Sequence, residues 1–162
     1  MKILVADHTG ALAPTCIIFL AYWGHEVEVV PDGPAALRKA RAWRPDLVLA
    51  PIGLDRIDGL SLLSTLRASG SLPRTAFVLT CPGNDDHARR RSQALGASAY
   101  LGTPLAVADL ARVVQRIEEA SAVLSVERSR GAWPADSHGE RGRADDDLYS
   151  SAIRSGLFAS RR

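Results

Sequence analysis

The chain is short of the residues that mark the commonest specialised chemistries. Cysteine occurs twice in 162 residues, at Cys16 and Cys81. No CxxC pair and no His/Cys ligand spacing is present, which argues against a structural zinc site. Both thiols sit in apolar surroundings and are expected to be reduced core residues of a cytoplasmic protein. The longest apolar run, CIIFLAYW, is eight residues, against ~20 for a membrane-spanning helix. Asp7 and His8 stand where a signal peptide would carry its apolar centre, so export is not expected. Lysine is found only at Lys2 and Lys39, the net charge is +2, and nothing in that balance attracts nucleic acid. There is no G-x-S-x-G elbow, G-x-G-x-x-G turn or P-loop, so hydrolase, dinucleotide and nucleotide-triphosphate sites lose their usual sequence basis. No enzymatic activity is expected, and no metal site.

What is present falls into two zones. Residues 1–120 alternate short apolar runs with amphipathic segments. From Ser121 the order gives way to ERSRGAWPADSHGERGRADDD, which has little to bury. Residues 121–162 are therefore expected to form a flexible tail, with a short docking helix over 146–158 where Leu148, Ala152 and Ile153 recur at roughly helical spacing.

Within the first zone the rhythm is strand, helix, strand, helix. KILVAD, HEVEVV, DLVLAP, TAFVLT and SAYLG read as five strands. Between them lie amphipathic segments. ALAPTCIIFLAYWG places Leu12, Cys16, Phe19, Leu20 and Trp23 on one helical face, with Gly24 as the stop. DGLSLLSTLRAS is expected to be capped by Asp58 with Leu60, Leu63 and Leu66 inward. AVADLARVVQRIEEAS carries Leu110, Val113, Val114 and Ile117 at core spacing. Five such units imply an α/β fold, a parallel sheet wrapped by helices on both faces. Functional groups in these folds gather at the carboxyl ends of the strands, here Asp7, His8, Pro51, Thr80, Cys81 and Thr103.

Several blocks in order carry a family likeness: KILVAD, GHEVEVVPDGPAAL, PDLVLA with IDGLSLL, FVLT, ALGASAYL and TPLAVADLARVV. Across the first zone the chain resembles the receiver domain of two-component response regulators. The resemblance implies a flavodoxin-like, doubly wound (βα)5 sheet with strand order 2-1-3-4-5. In that family an Asp ending the third strand takes a phosphoryl group from a histidine kinase, and an acidic pair after the first strand holds Mg²⁺. A Thr or Ser ending the fourth strand and a Lys before a Pro after the fifth contact the phosphoryl oxygens. Carried over position by position, the acceptor falls on Pro51 and the acidic pair on Asp7 and His8. The threonine is kept as Thr80, the lysine falls on Thr103 beside Pro104, and the aromatic switch position is kept as Tyr100.

Proline offers no nucleophile, one carboxylate is a poor Mg²⁺ site, and Thr103 brings no cation to neutralise phosphoryl oxygens. The expectation is a pseudo-receiver in signal transduction, without Mg²⁺ or another cofactor, that acts by protein–protein interaction. Two alternatives stay open. Asp55 or Asp7 is a non-standard acceptor in a phosphorelay, or the vestigial pocket of Asp7, His8, Thr80 and Cys81 senses a metal or small molecule. The partner is expected to be a kinase or other signalling protein, neither nucleic acid nor membrane. The output face implied by the resemblance is helix 4, strand 5 and helix 5, with Arg89, Arg90, Arg91, Asp109, Arg112 and Arg116, a mixed-charge face that suits a homodimer or an acidic partner.

Overall fold

A computed structural model describes residues 1–10, 12–83 and 85–130. Five strands, β1 (Lys2–Ala6), β2 (Glu26–Val30), β3 (Leu47–Pro51), β4 (Ala76–Pro82) and β5 (Ala99–Thr103), alternate with five helices. The helices are α1 (Ala13–Tyr22), α2 (Gly33–Trp43), α3 (Gly59–Ala68), α4 (Asp86–Ala94) and α5 (Val107–Arg130). All strand pairs are parallel and the order is β2-β1-β3-β4-β5, the flavodoxin-like arrangement expected from the sequence.

The period-two alternation of strand side chains divides the interior into two cores. Ile3, Val5, Leu47, Leu49 and Val78 point to one face and pack on Leu12, Cys16 and Leu20 of the α1 region and Leu110, Val113, Val114 and Ile117 of α5. Leu4, Ala6, Val48, Ala50, Phe77 and Leu79 point to the other and meet Ala36 and Ala40 of α2 and Leu60, Leu62, Leu63 and Leu66 of α3. Strands covered on both faces must be apolar throughout. That is why β1, β3 and β4 read as unbroken apolar runs while the edge strand β2 alternates. Asp32, Asp58 and Asp85 cap α2, α3 and α4 through Ala35, Ser61 and the His87–Ala88 amides.

Four expectations are corrected. Trp23 lies past the last residue of α1 and is 38% exposed, its ring 6.2 Å from that of the half-buried Phe19. The inward face of α1 is therefore narrower than its sequence implied. Leu62 joins the inward leucines of α3. Cys81 is half-buried, unlike the buried Cys16. Helix α5 runs on to Arg130, past Ser121 where the apolar spacing ends it, since no Gly or Pro interrupts it before Gly131. The expected docking helix over 146–158 lies outside the described residues.

Candidate functional site

The two cores predict where functional side chains meet. Each strand's side chains alternate, so a residue two positions beyond a member of the α1/α5 core stays on that face. Asp7 follows Val5, Pro51 follows Leu49, Thr80 follows Val78 and Thr103 follows Leu101. Pro51, Thr80 and Leu101 lie in one row across the sheet. The four rim residues line one cleft of about 350 Å³, together with Thr9, Leu12, Pro82, Pro104 and Leu105. His8, Ile52 and Cys81 have the opposite parity and are not among its lining residues. The suggested pocket of Asp7, His8, Thr80 and Cys81 is therefore split. Asp7 and Thr80 share the cleft, whereas His8 is exposed to solvent and Cys81 lies close enough to Tyr100 to affect its phenol.

Asp7 is buried, 7% exposed, and its carboxylate organises the loop into α1. Its Oδ1 accepts from the Thr9 amide at 3.1 Å, the Thr9 hydroxyl at 3.1 Å and the Gly10 amide at 3.0 Å. Its Oδ2 accepts from the Leu12 amide at 2.8 Å. Hydrogen bonds to the ionised form are what keep a buried carboxylate tolerable. Its charge and burial together push the nearby Cys16 thiol up to about 12, burial being the larger cause, so Cys16 stays an unreactive thiol.

Pro51 closes β3 without cost to the sheet. The Ile52 amide donates to the Thr80 carbonyl at 2.7 Å, on the β4 side. Alternation then turns the N–H that Pro51 lacks towards β1, whose pairing with β3 has already ended at Val5 and Leu49. The chain then folds back tightly: the Gly59 amide donates to the Ile52 carbonyl at 2.9 Å. A Cβ on Gly59 would overlap the Pro51 carbonyl oxygen and come within 2.8 Å of the Leu79 side chain, so only glycine fits here.

Thr80 is wholly buried, and its hydroxyl has no hydrogen-bond partner among the described residues. A buried polar atom in that state is uncommon and calls for an explanation. The sequence singles out Thr80 but not the state of its hydroxyl, which is a property of three-dimensional surroundings. Thr103 and the cleft's three prolines complete a lining that has no lysine or arginine among the described residues.

The remaining candidates lie elsewhere. Tyr100 is half-buried against the α2/α3 core. Burial, then Cys81, raise its phenol above the usual range, and its hydroxyl reaches the Asp85 carbonyl at a long 3.5 Å. Asp55 is exposed, and its carbonyl accepts from Gly33 at 3.3 Å, on the α2 side and outside the cleft lining. The three consecutive arginines of α4 diverge. Arg89 is half-buried near Tyr100, Arg90 reaches back to the Asp86 carbonyl at 3.2 Å, and Arg91 lies towards Asp58. On α5, Arg112 pairs with Asp109 at 2.8 Å, and Arg116 is half-buried. Among the described residues no three His, Cys, Asp or Glu side chains are grouped to hold a metal. No described helix is long and apolar enough to cross a membrane.

A doubly wound parallel sheet with its cleft at the carboxyl rim, next to an order reversal between β2-β1 and β3, defines a class of α/β signalling and nucleotide-binding folds. Comparison with known proteins narrows this to one family. The sequence model of the response regulator receiver domain matches residues 3–115, and the chain belongs to that family. The chain is 32% identical over 111 residues to the two-component response regulator PhoP of Pseudomonas aeruginosa, covering 68% of this chain and 48% of the relative. It is 34% identical over 113 residues to the response regulator MprA of Mycobacterium avium, covering 68% and 47%. The chain thus spans about half the length of the curated relatives it matches. Among solved structures, the Vibrio cholerae chemotaxis protein CheY4 superimposes with a TM-score of 0.67 at 23% identity, over 72% of this chain and 97% of that one. The receiver domain of a Vibrio parahaemolyticus LuxO repressor gives 0.71 at 14%, over 77% and 95%; both likenesses speak for the fold alone.

Proposed function

We propose that this receiver domain signals by docking a protein partner, without taking a phosphoryl group at the end of its third strand. The observation that supports this reading is the pair of rim residues Pro51 and Thr103, which line the same cleft. Where the family places an acceptor carboxylate this chain has Pro51, and where the family has a lysine it has Thr103. Phosphoryl transfer depends on an in-line nucleophile and on neutralisation of three oxygens, and the cleft lining supplies neither. The donor set does not fit Mg²⁺. The ion wants several oxygens in near-octahedral geometry, while the lining offers one carboxylate, already taken up by four donors of its own loop. Asp7 as acceptor is disfavoured by the same bonds, and Asp55 by its place outside the cleft.

The mixed-charge surface of α4, β5 and α5 is the docking face in this proposal. The exposed Arg90 and Arg112 suit a kinase or other signalling protein with an acidic patch, or a second copy of the chain. Some relatives are described as DNA-binding response regulators, such as MtrA of Mycobacterium tuberculosis, but that match covers 32% of the relative. The proposal for this domain is a protein partner in the cytoplasm, and neither nucleic acid nor catalysis. The test is incubation of the full chain with acetyl phosphate and Mg²⁺, followed by intact mass. The expected result is no added phosphoryl mass. A phosphoryl group that disappears in Asp55→Ala or Asp7→Asn would return the protein to the phosphorelays.

A further inference from the structure

The rim cleft has the makings of a ligand site of a different chemical class. Its volume of about 350 Å³ is within the range of small-molecule pockets. Its walls are the rings of Pro51, Pro82 and Pro104 and the side chains of Leu12 and Leu105. Its Thr80 hydroxyl, on a residue with no exposed surface, is buried and has no hydrogen-bond partner among the described residues. We infer that the cleft binds a neutral, mostly apolar small molecule through a carbonyl or similar acceptor that takes the Thr80 hydroxyl hydrogen. This inference rests on the reading that the cleft no longer handles a phosphoryl group.

Charge decides the class. Among the described residues no lysine or arginine lines the cleft, and the one charged group in its lining is the Asp7 carboxylate. An anion entering would meet like charge and no compensating cation, which burial penalises heavily. A cation gains little from Asp7, whose Oδ1 already holds three donors and whose Oδ2 holds the Leu12 amide. A neutral ligand avoids both costs. Its apolar body covers proline and leucine surface, and its acceptor satisfies the hydroxyl left unmatched among the described residues.

The test titrates the full-length, ¹⁵N-labelled protein with acetophenone as a neutral ketone probe, and with benzoate and benzylamine as its anionic and cationic counterparts. Amide shifts that saturate with acetophenone are expected at Thr80, Thr103 and Leu105, with weaker or no saturation for the charged probes. Thr80→Val should weaken acetophenone about five-fold, the worth of one hydrogen bond. Thr80→Ser should restore it, and Leu105→Trp, which adds bulk to the lining, should abolish it. Three outcomes overturn the inference: no saturable shifts at the cleft, tighter binding of benzoate, or an acetophenone affinity unchanged in Thr80→Val. The two proposals fail separately. A phosphoryl mass after acetyl phosphate treatment counts against the docking function, whereas the probe titration alone decides the chemistry of the cleft.

Discussion

Asp7 and Thr80 stand on the same face of the sheet, at the ends of strands separated only by β3, and both are buried, at 7% and 0% exposure. Both are residues onto which the sequence resemblance carries the receiver family's pocket positions. Their polar atoms have different surroundings. The Asp7 carboxylate is engaged by four donors from residues 9–12, while the Thr80 hydroxyl has none among the described residues. The β1 side of the cleft has its polar group occupied in holding a loop, and the β4 side has a buried hydroxyl with no partner among the described residues. Retention of a family residue and availability of its chemistry are separate properties, and only the hydrogen bonds distinguish them.

The sharpest way to break that contrast is Asp7→Ala. If the carboxylate is structural, its loss orphans three amides of the loop into α1 and should cost about 3 kcal/mol. The corresponding drop in melting temperature is roughly 10 °C, read by thermal denaturation followed by circular dichroism. Asp7→Asn keeps one acceptor oxygen and should lose less. A melting temperature unchanged in Asp7→Ala would place the two strand ends on the same footing and remove the contrast.

Next in size is Gly59→Ala, which probes the β3 wall between them. The new methyl has no space against the Pro51 carbonyl and Leu79, so the β3–α3 turn must shift, at a cost of about 2 kcal/mol. Unfolding in urea checks this. A variant as stable as the parent would mean that the wall yields easily, and the cleft's shape would then be set by β1 and β4 alone.

Much of this is legible in the sequence, for a definite reason. Strands covered on both faces and helices with an apolar stripe announce themselves through periodicity, so the five units and the cap at Asp58 are readable from spacing. So is the parity that separates Asp7 from His8, because neighbouring strand residues must point to opposite faces. The same rule applied to Thr80 and Cys81 removes the cysteine from the pocket. The saturation of Asp7 is not readable, since it depends on the path of residues 9–12. Nor is the exposure of Trp23, which turns on α1 ending at Tyr22. Apolar spacing cannot show where a helix stops when no strong breaker precedes the turn. The length of α5 escapes the sequence for a related reason. The polar composition after residue 120 resembles the end of a helix, yet no Gly or Pro stands in the way before Gly131.

A smaller effect separates a capping carboxylate from the loop-holding one. Asp58 accepts from the Ser61 amide at 2.8 Å, and that bond is the main reason its carboxyl is held below the usual 3.8. Asp58→Ala should cost about 1 kcal/mol near neutral pH. Because the folded value is depressed, the stabilisation is fully present above the unfolded value and is lost as pH falls through the folded one. The gap between parent and Asp58→Ala should therefore hold down to about pH 4 and close below it. A gap that persists in acid would mean that packing, and not the charge-assisted cap, is what Asp58 supplies.

The smallest expected effect has the opposite sign. Thr80→Val replaces the hydroxyl by a methyl of nearly the same size, in a place where the hydroxyl meets no partner among the described residues. Burying an unmatched hydroxyl disfavours folding, so its removal should stabilise the free protein by roughly 1 kcal/mol. Calorimetry of the two proteins without added ligand reads this directly. The same substitution that raises stability should weaken the neutral probe, a pairing expected of a group kept for binding at the expense of folding. A destabilised Thr80→Val would show that the hydroxyl has a partner in solution, and the β4 side of the cleft would then be as fully engaged as the β1 side.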